Sequence, residues 1–167
     1  MTKQPAQQPN PFESADGDFA AALNASLDGW NAAMGLRFIR ATGEEVVAEL
    51  EIGPAHLQPY GIVHGGVHSG IIETVTSTGA ALAALPRGQS VVGLENHTSF
   101  LHAMREGKLL VTARPLMRGW RTQVWEATVA GPDGRTVATG RVRFLALEAD
   151  TSLAGETVRI KIKSVGG

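Results

Sequence analysis

The sequence predicts an α+β domain in which an antiparallel sheet wraps one long helix. Two observations carry this. Residues 58–85 open on a glycine-containing loop and continue as a helix of small residues. Four strand candidates follow residue 88, and the last two alternate apolar and polar side chains, the pattern of a sheet with one covered face. A chain of 167 residues suits a single domain with a real core.

Taken in order, residues 1–17 are rich in Gln, Pro, Asn and Ser and read as a flexible arm. They lack the apolar stretch behind a basic start that marks a secretory signal. Residues 18–149 read as the domain. Its first element is a helix over 18–35, with Asp18 as N-cap. Phe19, Leu23, Leu27, Trp30 and Met34 recur at helical steps, and Gly35 ends the run. Two strands follow, over 36–41 and 44–52, joined at Thr42 and Gly43. Val47, Leu50 and Ile52 are expected to face the core.

The central helix is expected to start at Gly65 or Gly66. Its core stripe gathers Val67, Ile71, Val75, Thr78, Leu82 and Leu85. Four strands then run over 90–103, 108–119, 120–131 and 135–148. Glu106 with Gly107, and Pro132 with Asp133 and Gly134, serve as hairpin turns. In the third of these strands Val124, Glu126 and Thr128 alternate with Trp125, Ala127 and Val129. Residues 150–167 form a C-terminal extension in which Val158, Ile160 and Ile162 alternate as an extra edge strand would, with lysines guarding that edge. One helix against one sheet covers the sheet poorly, so a partner subunit is expected.

Composition narrows the function. The formal net charge of -1 provides no basic excess to neutralise phosphates, which argues against a nucleic-acid binder. There are no cysteines, so disulfides, thiolate nucleophiles and zinc–thiolate sites are excluded, in keeping with a cytoplasmic protein. No run approaches the ~18 apolar residues of a membrane span. His64 and His68 are four apart, but no acidic residue completes a helical metal motif, and no metal is expected.

The central stretch carries the chemistry. Ser69, Glu73 and Ser77 stack at i, i+4 and i+8, away from the core stripe. A single carboxylate on a helix rich in Ile, Ala, Val and Gly, with no other charge, points to a pocket or a subunit interface. The free N–H groups at the helix start attract a carbonyl oxygen gaining negative charge, and Gly65 and Gly66 let a ligand approach the backbone. Glu73 would then attack the carbonyl carbon or deprotonate a water that does. Ser77 would orient that water, Gln58 would bond the reacting group, and His64 would hold the loop. His56, His68 and His102 are expected to satisfy local hydrogen bonds or face solvent.

The blocks GIVHGGVHSGIIETVTSTGA, ENHTSF and GWRTQVWEATVAGPDGRTVATGRVRF, in that order, resemble the hotdog-fold acyl-CoA thioesterases of the phenylacetate-pathway and 4-hydroxybenzoyl-CoA thioesterase branch. The resemblance spans about 30–147. It implies a long helix wrapped by a curved antiparallel sheet, a homodimer assembling into a homotetramer, and active sites between subunits. It implies Gly65 as the residue whose N–H polarises the thioester carbonyl and Glu73 as nucleophile or general base. Gln58 and His64 would stand beside the thioester, with Ser77 where one branch has threonine. Gly66, Asn96, Thr98 and Ser99 would line the site. Arg118, Gly119, Trp120, Arg121 and Thr122 fall where relatives hold coenzyme A. No separate cofactor is implied, since coenzyme A is part of the substrate.

Two other functions fit the same fold. One is a hydratase or dehydratase of hydroxyacyl thioesters, using His64 or His68 with an acid. The other is a non-catalytic acyl-CoA-binding protein.

Overall fold

A computed structural model describes residues 17–149 and 151–157. Two short helices, α1 (Ala20–Ala25) and α2 (Gly29–Ala33), precede a hairpin of β1 (Arg37–Ala41) and β2 (Val46–Glu51). A 3-10 turn at Pro54–His56 leads into α3 (Gly65–Ala84), whose 20 residues span about 30 Å. Then come β3 (Ser90–Phe100), β4 (Lys108–Arg118), β5 (Thr122–Ala130), β6 (Thr136–Leu147) and a small hairpin of β7 (Ser152–Leu153) and β8 (Glu156–Thr157). The main sheet is antiparallel, in the order β1-β2-β4-β5-β6-β3, and α3 packs across it. This is the helix wrapped by a sheet that the sequence implies.

The small residues of α3 have a packing reason. A Cβ on Gly79 would lie 2.4 Å from the ring of buried Trp125, and one on Gly70 would lie 2.4 Å from the ring of Trp30. Two indoles therefore press against the helix backbone from different elements. Gln123, fully buried beside Trp125, accepts the indole N–H at 2.9 Å and donates to the Ala80 carbonyl at 3.1 Å. That polar chain ties β5 to α3 without leaving a buried group unpaired.

Several local expectations need correcting. The helix expected over 18–35 is two helices, because the chain turns at Ser26, Leu27 and Asp28 and Gly29 takes φ +55°. Asp18 does bind the first turn: its Oδ1 accepts the N–H groups of Ala20 and of Ala41 on β1, each at 2.9 Å. In β2 the core residues are Val46, Ala48 and Leu50, so Val47 points the other way; a shift of one residue exchanges the two faces. Along α3 the buried set includes His68, Ile72 and Thr76, whereas Thr78 is half-buried and bonds back to the Thr74 carbonyl.

The largest difference is topological. Glu106 and Gly107 do not make a hairpin between β3 and β4. β3 pairs with β6 alone and forms one edge of the sheet, while β4 lies between β2 and β5. The expected edge strand carrying Val158, Ile160 and Ile162 lies outside the described residues. Glu156 and Thr157 pair with β7.

Candidate functional site

The loop before α3 is built by backbone geometry. Gln58 N–H reaches the Ile62 carbonyl at 2.8 Å, Gly61 takes φ +68°, and Arg105 clamps the turn by donating to the Tyr60 and Gly61 carbonyls at 2.9 and 3.0 Å. His64 is the N-cap of α3: its Nδ1 accepts the Gly66 N–H at 2.8 Å. The imidazole is therefore unprotonated at Nδ1, and one of the helix's open donors is satisfied. The Gly65 N–H has no partner among the described residues. A cleft of about 320 Å³ lies beside it, lined in part by Gln58, Ile62, Val63, His68, Phe100 and Leu101. The Phe100 ring stands over Gly65, where a Cβ would meet it at 2.9 Å.

Of the histidines near this loop, two are locally satisfied as expected. His56 Nδ1 accepts the Gly53 N–H at 2.7 Å and its Nε2 lies 3.1 Å from the Met34 carbonyl, while His102 Nδ1 lies 2.8 Å from the Thr136 carbonyl. His68 is not. It is buried, its Nδ1 has no partner among the described residues, and burial pushes its pKa below the ordinary histidine value. Positions 68, 71, 72, 75, 76 and 79 share one helical face, and that periodicity was the signal that His68 belongs with the buried set.

Glu73 occupies a second centre, eight residues along α3. Asn96 on β3 donates from Nδ2 to Glu73 Oε2 at 2.9 Å and to the Ser69 carbonyl at 3.1 Å. Thr98 donates to Asn96 Oδ1 at 2.7 Å, which fixes the amide's orientation. Ser77 Oγ lies 3.3 Å from Glu73 Oε1. Gly93 makes room for the carboxylate: a Cβ there would stand 2.7 Å from Glu73 Oε1. Gly93 was not singled out from the sequence, nor was Asn96 as a partner of Glu73, because the contact joins residues 23 apart on different elements.

The structure thus brings together Glu73, Ser77, Asn96 and Thr98, and separately Gln58, Gly65 and the α3 start, with Gly66 and His64 in the cap. Ser99 lies elsewhere. β3 alternates, so Asn96, Thr98 and Phe100 face α3 while His97 and Ser99 line the opposite face of the sheet beside Arg141. The two centres are also apart. Eight residues of helix separate Gly65 from Glu73 by about 12 Å along the axis, too far for one carbonyl group to touch both within a chain.

The turn between β4 and β5 sits at the other end of α3. Arg118 is engaged by the Glu44 carboxylate and the Gly43 carbonyl. The Gly119 N–H bonds the Thr122 carbonyl at 2.9 Å, and Thr122 pairs with Leu145 on β6. Arg87, which the sequence did not single out, lies 5.6 Å from the Trp120 ring centroid and donates to the Gly119 carbonyl at 3.1 Å. The Arg121 side chain is exposed, while its carbonyl accepts the Ala146 N–H.

Comparison with known proteins places the chain in a family. A family model described as the thioesterase superfamily matches residues 60–138. Rv1847 of Mycobacterium tuberculosis, a protein named as an esterase, is 38% identical over 144 residues, 85% of this chain and 98% of that one. Its solved structure covers 72% of this chain and 97% of its own, with a TM-score of 0.71. The proofreading thioesterase EntH of Klebsiella pneumoniae is 33% identical over 123 residues, 73% of this chain and 89% of EntH. The structure of thioesterase HI1161 from Haemophilus influenzae covers 77% of this chain and 90% of its own, with a TM-score of 0.72 at 25% identity. Through these matches the chain belongs to the thioesterase superfamily, as a hotdog-fold thioester hydrolase.

Proposed function

We propose that the protein hydrolyses acyl-CoA thioesters, aryl-CoA included, to a free acid and coenzyme A, with Glu73 as the reacting carboxylate. One observation carries the reading: Glu73, the one carboxylate of α3, is held between Asn96 and Ser77 in a fixed orientation. The Gly65 N–H stabilises the oxyanion as the carbonyl becomes tetrahedral. Glu73 acts in one of two ways. As nucleophile it bonds to the carbonyl carbon, the C–S bond breaks, coenzyme A leaves as thiolate, and water then cleaves the anhydride. As general base it takes a proton from water, the resulting hydroxide adds, and the same C–S bond breaks. Gln58 bonds the thioester, and His64 holds the loop by capping. No separate cofactor enters either route.

The 12 Å separation along α3 supports a homodimer, in which Gly65 of one subunit meets Glu73 of the other. The exposed edge of β3, with Leu94 and Phe100 about half exposed, is the surface we assign to that pairing, with dimers assembling further into a homotetramer. Arg121, with Arg87 and Trp120, is assigned to the coenzyme A phosphates and base. Arg118 contributes only if it leaves Glu44. Among the described residues no helix is long and apolar enough to cross a membrane, and we assign the protein to the cytoplasm.

Hydration or dehydration has less support, because His64 is committed to the cap and His68 stands five residues, about 7.5 Å along the axis, from Glu73. Thiol release from a panel of straight-chain, aryl- and phenylacetyl-CoA substrates tests the reading. Loss of release in Glu73→Ala, with the fold retained, is expected; full activity in that variant overturns the assignment.

A further inference from the structure

One polar group of the cleft is unused by this chemistry. His68 is only 3% exposed, its Nδ1 is buried without a partner among the described residues, and the residue lines the cleft beside Gly65. Its ring centroid lies 6.2 Å from that of Phe100, and the cleft lining is otherwise mostly apolar, with Ile62, Val63 and Leu101 beside the polar Gln58 and His102. A buried nitrogen without a partner is unfavourable, and an apolar residue would fill this place without that cost. His56 shows the contrast, since both its nitrogens have backbone partners.

We infer that His68 is a specificity-determining residue of the acyl pocket, where its imidazole hydrogen-bonds a hydroxyl or carbonyl oxygen borne by the substrate's acyl group. The inference rests on the acyl-CoA thioesterase reading. His68 stands one turn beyond Gly65, about 4.5 Å along the axis, so this oxygen belongs to the acyl chain past the thioester carbonyl. The cleft lining holds no Asp, Glu, Lys or Arg, which suits an acyl group and not an anionic nucleotide. Burial keeps the ring neutral, with one N–H and one lone pair, a match for a neutral oxygen rather than a carboxylate. A pocket that hydrogen-bonds a substrate oxygen discriminates strongly against the analogue lacking it, because its own polar group is then left unpaired.

The test uses pairs of acyl-CoA substrates, and pairs of non-hydrolysable thioether analogues, differing only by one acyl hydroxyl or keto oxygen. The intact protein is expected to favour the oxygenated member by roughly ten-fold or more, both in kcat/KM and in binding. His68→Leu should level the ratio, and His68→Gln, which keeps a donor and an acceptor, should restore part of it. In the unmodified protein, the 15N signals of the His68 ring should move with the oxygenated analogue and not with its partner, a readout that needs no stable variant. If no substrate is hydrolysed yet the binding ratio depends on His68, the hydrolase reading fails and the subsite stands. An unchanged ratio in His68→Leu, or ring signals that respond alike to both analogues, overturns the inference.

Discussion

Asn96 on the edge strand β3 donates a hydrogen bond from Nδ2 to Glu73 Oε2 on α3 at 2.9 Å, and Thr98 holds the amide that does so. The carboxylate's direction is thus set by a strand, not by its own helix alone. Asn96→Ala should lower kcat by about 10²-fold with a smaller change in KM, the cost of a reacting group left loosely aimed. Asn96→Asp should also shift the acid limb of the pH–rate profile upward, since a second carboxylate disfavours the ionised form of Glu73. Steady-state kinetics across pH checks both, and an unaltered profile in Asn96→Asp would count against the contact.

Gly65→Pro removes the backbone donor, and Gly65→Ala, which keeps the N–H but brings the same Cβ within 2.9 Å of the Phe100 ring, controls for the steric change. Position 65 is the first residue of α3, where proline is well tolerated, and His64 already has the extended φ of -66° and ψ of 136° that a following proline requires. The helix should survive while the N–H is lost, and kcat should fall by about 10²- to 10³-fold. Circular dichroism together with thiol release separates loss of the donor from loss of the helix.

Gly79 predicts a stability effect without a direct catalytic one. A methyl group there meets the Trp125 ring at 2.4 Å, and Trp125 is anchored through Gln123. Gly79→Ala should destabilise by about 1–3 kcal/mol despite alanine's better helix propensity, measurable by urea unfolding. A stability gain would mean that the indole yields easily.

Glu49 gives a pH-dependent prediction. Hydrogen bonds from Lys108 and Arg37 hold its pKa below the usual carboxylate value of 4.5. Because the folded value is the lower one, the contribution is present above the unfolded pKa and lost as pH falls through the folded one. The partners are half or more exposed, so the effect is at most about 1 kcal/mol. The stability difference between the wild type and Glu49→Gln should therefore shrink on acidification below about pH 4.5 and in high salt.

What the sequence made legible was mainly local. Alternation around Trp125 and along β6 is visible in the chain because every second residue meets the helix. The identity of a strand's neighbour is not visible in the same way. Glu106 and Gly107 mark where β4 begins, but nothing in them says that the chain has crossed the sheet since Phe100 and left β3 at the edge. In β2, Val46 and Val47 are both valines, so composition could not choose the buried one. Glu73 stood out as a lone carboxylate, yet Asn96 and Gly93 gain their meaning only when β3 lies beside α3. His68 was legible in the wheel of buried positions, but histidine's usual place at the surface argued the other way.

On the proposed reading, Gly65 and Glu73 act on one thioester from two different chains. Co-expression of Gly65→Pro and Glu73→Gln chains, with differently tagged mixed dimers purified, tests it most directly. Each homodimer should be inactive, whereas the mixed dimer should recover about half of the wild-type rate. It would hold one intact site, formed from Gly65 of the Glu73→Gln chain and Glu73 of the Gly65→Pro chain. No recovery in the mixed dimer, with both chains folded and paired, would rule out a site shared between two chains.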